Sequence, residues 1–245
     1  MKYVISVFLI LVSALGALAA GNPVAYEVQG QPYEGYFTSP DVDAPLVLLL
    51  HDWDGLTGYE VKRAEMLADH GYAVFAADLF GAGVRPTAVE DKRQHTGELY
   101  KDRNKMRRLL QAALTAAQDH GADSQNCVAM GYCFGGAAVL ELARSGAALQ
   151  GFVTFHGGLS TPPSQDYSIT KGRLLILHGT ADTHITMDDF ARLAQELEQH
   201  NVPHEMTTYG GAPHAFTVFD SQSYRAGADQ ASWRRFIHFL EETLH

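Results

Sequence analysis

Asn126-Cys127-Val128-Ala129-Met130-Gly131-Tyr132-Cys133-Phe134-Gly135-Gly136 is the stretch that decides how this chain is built. Asn126 to Met130 is a short, mostly apolar run, the pattern of a strand covered on both faces. Beyond Gly136 an apolar helix runs through Ala143. Between strand and helix, Gly131, Cys133 and Gly135 spell G-x-C-x-G. This is a tight strand-to-helix turn with a nucleophile-type residue at its apex and a glycine on either side, where a Cβ would clash. A side chain at that apex stands at a helix N-terminus, whose free N–H groups favour negative charge and can bind an oxyanion. The Phe134 N–H, directly after the apex, is the expected first donor. Taken alone, the motif also fits a buried cysteine in a glycine-rich turn.

Working outward, the same grammar repeats. Apolar runs at Leu46–Leu50, Ala73–Ala77, Gly151–Phe155 and Leu174–Leu177 read as buried strands, and His204–Tyr209 alternates like one. Helical spacing is expected over Tyr59–His70, stopped by Gly71, over Asp188–His200 and from about Ala228 to Leu244. Thr87–His120 reads as mostly helical, with a possible interruption at Gln94–Gly97, because glycine lowers helix propensity. Val24–Val28 and Tyr33–Thr38 read as a peripheral antiparallel pair. Strands alternating with helices predict an α/β chain: a mostly parallel, doubly wound sheet with helices on both faces. No repeat or linker divides residues 21–245, so one domain is expected.

The first 20 residues read differently. Lys2 is followed by an uncharged, almost wholly apolar run from Tyr3 to Leu15, closing on Gly16-Ala17-Leu18-Ala19-Ala20. The run is short for a membrane span of about 20 residues, and the small-residue end suits cleavage. Residues 1–20 are therefore expected to be a signal peptide, giving an exported, periplasmic or secreted protein with no stable membrane anchor. A net charge of −10 argues against a nucleic-acid partner and a polybasic membrane surface. The two cysteines, Cys127 and Cys133, would stand roughly 20 Å apart across six extended residues. A disulfide needs about 7 Å. Cys127 is expected to be a packed core thiol at the start of its strand.

In open α/β sheets ligands bind beyond the carboxyl ends of the strands. Asp52, Cys133, Asp182 and His214 fall there, after four different strands. Cys133, then Asp182, then His214 is the chain order of nucleophile, acid and base in an α/β-hydrolase. Asp182 also suits a cap for the helix that follows, as do Thr183 and Asp188. His214 is one of 12 histidines, but it precedes the last helix in a Gly-Pro-bearing loop. The second oxyanion donor is expected from the loop after Leu50, at the Trp53 N–H.

Three motifs together resemble the dienelactone hydrolase family: Gly131-Tyr132-Cys133-Phe134-Gly135-Gly136, His178-Gly179-Thr180-Ala181-Asp182 and Gly211-Ala212-Pro213-His214-Ala215-Phe216. The resemblance covers nearly the whole chain after residue 20. It implies an α/β-hydrolase with a Cys-His-Asp triad that hydrolyses a small ester or lactone through a thioester, the founding activity being carboxymethylenebutenolidase. It implies no cofactor. It also places an acid soon after the first buried strand, followed by two residues and a glycine, matched by Asp52-Trp53-Asp54-Gly55, with Asp52 where the family usually has Glu. Ala82 and Thr217 stand where the resemblance places substrate-binding arginines, with Arg85 close by. An ester or lactone other than an anionic dienelactone is thus the stronger expectation. Phe80, Arg85 and Tyr132 are candidate substrate contacts. No H-E-x-x-H spacing or C-x-x-C pair points to metal or dithiol chemistry. A monomer or homodimer acting on a small molecule is expected; the alternative is a non-catalytic ligand-binding protein on the same scaffold.

Overall fold

Along the central strands, successive side chains enter two different cores, as the two-residue period of a strand requires. The computed structural model describes residues 21–245; residues 1–20, read above as a signal peptide, lie outside the described residues. The elements are β1 (Asn22–Val28), β2 (Gln31–Thr38), β3 (Pro45–Leu50), α1 (Gly58–Asp69), β4 (Ala73–Ala77), α2 (Val89–Lys101) and α3 (Arg103–Asp119). There follow β5 (Asp123–Tyr132), α4 (Phe134–Arg144), β6 (Gly151–Phe155), β7 (Arg173–Gly179), α5 (Met187–Gln199), β8 (His204–Tyr209) and α6 (Ala226–Thr243). The strands form one sheet in the order β1-β2-β4-β3-β5-β6-β7-β8. The β1–β2 and β2–β4 pairs are antiparallel, and every pair from β4 to β8 is parallel.

In β3, Leu46, Leu48 and Leu50 join a core with α2, α3, α4 and α5, while Val47 and Leu49 join one with α1 and α6. In β7, Leu174 and Ile176 divide from Leu175 and Leu177 in the same way. Each such leucine is fully buried, and burying one contributes about 1.5–3 kcal/mol. The architecture is the α/β-hydrolase fold expected above, with helices on both faces.

Two boundaries differ from the sequence reading. The segment after Thr87 does not break at Gln94–Gly97: α2 runs through Gly97, and the break comes at Asp102, whose backbone leaves the helical region (φ −107°, ψ 80°). Asp102 then caps α3 by accepting from the Lys105 N–H at 2.8 Å. A glycine costs about 1 kcal/mol in a helix, which tertiary packing of Leu99 offsets. Cys127 lies inside β5 rather than at its start, because the strand begins at Asp123. It is fully buried, and both cysteines are free thiols.

Candidate active site

The turn after β5 leaves its residues little freedom. Cys133 sits at φ 50°, ψ −110°, at the N-cap of α4, a conformation costing a non-glycine residue about 1–3 kcal/mol. A Cβ on Gly131 would stand 2.4 Å from the Gly135 backbone, and one on Gly135 would stand 2.2 Å from the Leu50 oxygen. Only glycine lets α4 start this close to the end of β3. The Cys133 N–H donates to the Phe155 oxygen at 3.1 Å, tying the apex to β6. The Phe134 N–H belongs to the first turn of α4, where a helix leaves its N–H groups without internal acceptors.

Asp182 and His214 arrive on neighbouring loops. The Ala181 N–H donates to the Ala212 oxygen at 3.0 Å, and a Cβ on Gly179 would meet that oxygen at 2.2 Å. The turn after β7 and the loop after β8 are thereby pressed together. Asp182 Oδ1 accepts from the N–H groups of His184 (2.8 Å) and Ile185 (2.9 Å), while Oδ2 takes His214 Nδ1 at 2.7 Å. With Nδ1 engaged, His214 Nε2 faces Cys133 Sγ at 3.1 Å. Asp182 does not cap α5; Thr186 does, accepting from the Asp189 N–H in a capping box.

The electrostatics follow from these contacts. Burial works to raise Asp182, but the His214 bond and the backbone N–H groups hold it below the usual carboxylate range. Burial works to lower His214, yet its bonds to Asp182 and Cys133 push it up to about 10. Protonated His214 is thus favoured between these partners.

Cys133 and His214 open on a cavity of about 470 Å³ whose wall also includes Asp52, Trp53 and Phe134, with Asp182 buried behind His214. The remaining sequence candidates do not line it. Tyr132 is buried in the other core, its ring 5.1 Å from Tyr59 and 5.0 Å from Phe155. As the last residue of β5 it points to the α1–α6 face. Phe80 packs behind the wall, 4.6 Å from the His51 ring and 5.6 Å from that of Phe134. Arg85 turns to its neighbour's Val84 oxygen at 2.8 Å and to Asp78 at 3.7 Å.

The wall instead includes Arg93, Tyr100, His184, Ile185 and Ser223. Arg93 and Tyr100 are seven residues apart on α2, a spacing that places both on one helix face; with the helix read as interrupted between them, that signal was lost. The Tyr100 hydroxyl faces Gly158. Burial, then the charge of the nearby Cys133 sulfur, holds this phenol well above its usual value, so it stays a proton donor. Thr217, where the resemblance places an arginine, is buried against the Tyr59 hydroxyl and His156 Nε2, both at 2.8 Å.

Asp52 is buried and accepts from the Asp54 N–H at 3.0 Å. Among the described residues, no hydrogen bond joins it to Cys133. Burial, aided by Asp54 and Glu60, pushes its carboxyl up to about 10, so it is neutral near pH 7. Asp52, Asp54 and Glu60 bring carboxylate oxygens within 4.8 Å of one another, the spacing of a cation site. Those oxygens already have partners: Lys92 Nζ lies 3.3 Å from Asp54, and Glu60 accepts from the Thr57 N–H and hydroxyl.

The family model for the dienelactone hydrolase family matches residues 33–244. A human carboxymethylenebutenolidase homolog is 27% identical, the match covering 78% of each chain. The crystal structure of a dienelactone hydrolase-like promiscuous phosphotriesterase from metagenomic libraries superposes with a TM-score of 0.85 at 30% identity, covering 92% of this chain and 98% of that one. The esterase 2 of Thermogutta terrifontis, at 16% identity and a TM-score of 0.67 over 92% of this chain and 95% of its own, shares the fold. With a model matching almost from end to end of the described residues, this chain belongs to the dienelactone hydrolase family.

Proposed function

We propose that this protein hydrolyses small carboxylic esters or lactones, with Cys133 as nucleophile, His214 as base and acid, and Asp182 holding His214 in place. The observation that carries the reading is the continuous line from Asp182 Oδ2 to His214 (2.7 Å) to Cys133 Sγ (3.1 Å) at the cavity wall. His214 holds the proton it shares with Cys133, and the sulfur attacks the carbonyl carbon. The oxyanion forms beside the Phe134 N–H, with the Trp53 N–H as second donor. When the tetrahedral intermediate collapses, the C–O bond breaks, His214 returns the proton to the leaving alkoxide and a thioester remains. Water, deprotonated by His214, then cleaves the thioester to the acid and restores the thiol.

Arg93 supplies at the cavity wall a cation that neither Ala82 nor Thr217 provides. It suits a substrate with an acid group away from the scissile bond. The stretch from Lys2 to Ala20 supports export as the setting.

The test is hydrolysis of short acyl esters and of neutral and anionic lactones by the wild type beside Cys133→Ala and His214→Ala. Each variant is expected to lose at least about 10³-fold in kcat/KM. Arg93→Gln is expected to raise KM for anionic substrates only. Tight ligand binding without turnover by a wild type with a reactive thiol would sink the reading in favour of a binding protein.

A further inference from the structure

One carboxylate on α4 is shared by three arginines. The Glu141 side chain is fully buried and takes Arg107 Nε at 2.7 Å, Arg144 Nη2 at 3.1 Å and Arg103 Nη1 at 3.4 Å. Arg144 is buried and its other groups are used: Nε donates to Gln165 Oε1 and Nη1 to the Tyr167 hydroxyl, both at 2.8 Å. Arg103 and Arg107 are different. Arg107 uses only Nε, and Arg103 uses Nη1 and, toward the Tyr100 oxygen, Nε. Both Nη groups of Arg107 and Nη2 of Arg103 have no acceptor within hydrogen-bond distance among the described residues. Three guanidinium groups against one carboxylate leave an excess of positive charge around Glu141, in a chain whose net charge is −10.

The excess is visible on Arg103. Burial lowers it, Glu141 pulls it back up, and the neighbouring Arg144 and Arg107 charges lower it again, to a net value below the usual one. The three arginines wall a cleft of about 290 Å³ with Asn104, Gln165 and Ser168. Asp166 also borders the cleft. Its Oδ1 is taken by the Ser168 N–H (2.9 Å) and hydroxyl (2.5 Å), and it makes no ion pair with the arginines among the described residues. With Asp166 counted beside Glu141, the cleft keeps one net positive charge, and its unspent guanidinium forks match an oxyanion, which planar N–H pairs bind bidentately.

We propose that the cleft between α3, α4 and residues 161–170 is a binding site for a small phosphate-type oxyanion, separate from the cavity at Cys133. One residue lies between the two: the Arg103 guanidinium stands 4.8 Å over the ring of Tyr100 and donates to its backbone carbonyl at 2.9 Å. The proposal stands independently of the hydrolase reading.

The test is calorimetric titration of the purified protein with inorganic phosphate, sodium chloride holding the ionic strength constant. Saturable binding is expected, weakened about tenfold or more in Arg107→Gln, since bonds to charged groups are the strong ones. Asn104→Glu, at an exposed position lining the cleft, places a competing carboxylate there without removing a bond that holds α4 and is expected to abolish binding. Arg93→Gln, in the other cavity, is expected to leave it unchanged. Absence of saturable binding by the wild type overturns the proposal, as does binding that survives in Asn104→Glu and is lost in Arg93→Gln.

Discussion

Two charged networks meet in the four residues from His214 to Thr217, and they are built on opposite principles. The Asp182–His214–Cys133 line opens on the cavity, with the His214 side chain 20% exposed. Behind it, Arg63 is 1% exposed and bonds Asp229 Oδ1 at 2.5 Å and the Thr217 oxygen at 2.8 Å. The Thr217 hydroxyl meets both the Tyr59 hydroxyl and His156 Nε2, and the His156 ring stands edge-on 5.3 Å from that of His214. Burial first, then the His214 charge, holds His156 well below its usual value, so it stays neutral and packs. One network runs in a single line to the cavity wall; the other spends its polar groups on holding backbone. The difference teaches where the rigidity around His214 originates. His214 sits on a loop, and a sealed ion pair between α1 and α6 fixes that loop from behind.

The contrast can be broken from either side. Asp182→Asn should have the largest effect, a loss of about 10³-fold or more in kcat, with the fold intact by circular dichroism. The same change removes one of the bonds holding His214 up to about 10, so the pH midpoint for alkylation of Cys133 by iodoacetamide should move. An unmoved midpoint would mean that Asp182 only supports the loop. Arg63→Met should act on stability instead, costing about 3–5 kcal/mol in urea unfolding by leaving Asp229 buried and unpaired. Adding Asp229→Leu should recover part of that loss. If Arg63→Met proves as stable as the wild type, the rear network is not what holds the loop.

Thr217→Val removes one hydroxyl shared by two partners and should cost about 1–3 kcal/mol. Its kcat should fall more than its KM rises, because the base is displaced while the cavity wall is not. The smallest effect concerns Glu60, which burial pushes up to about 7 against the pull of its Thr57 bonds. The folded chain keeps a proton there that the unfolded chain releases above about 4.5. Stability should therefore fall as pH rises from about 4.5 to about 7. Glu60→Gln, which preserves the capping pattern, should flatten that part of the melting-temperature profile; an unchanged slope would place the titration elsewhere.

The buried strands, the order of the elements and the residues meeting at Cys133 were legible in the sequence because they are local. A continuous apolar run, a glycine on each side of an apex and a polar residue just past a strand each declare themselves within a few positions. Tyr132 shows the limit: its place in the chain beside Cys133 suggests a substrate contact, but its strand parity sends it to the far core. Arg93 and Tyr100 escaped notice because a glycine between them looked like a break, whereas the packing of Leu99 carries α2 through to Asp102. Arg63, Asp229 and Thr217 are separated by more than 150 residues between the first and the other two, and no sequence pattern joins them. The sequence by itself determined the fold and the chemistry-bearing residue types, since periodicity and turn geometry act over short range. Only the tertiary structure decided which side chains reach the cavity and which charges are spent, since both depend on where helices from distant parts of the chain lie against the sheet.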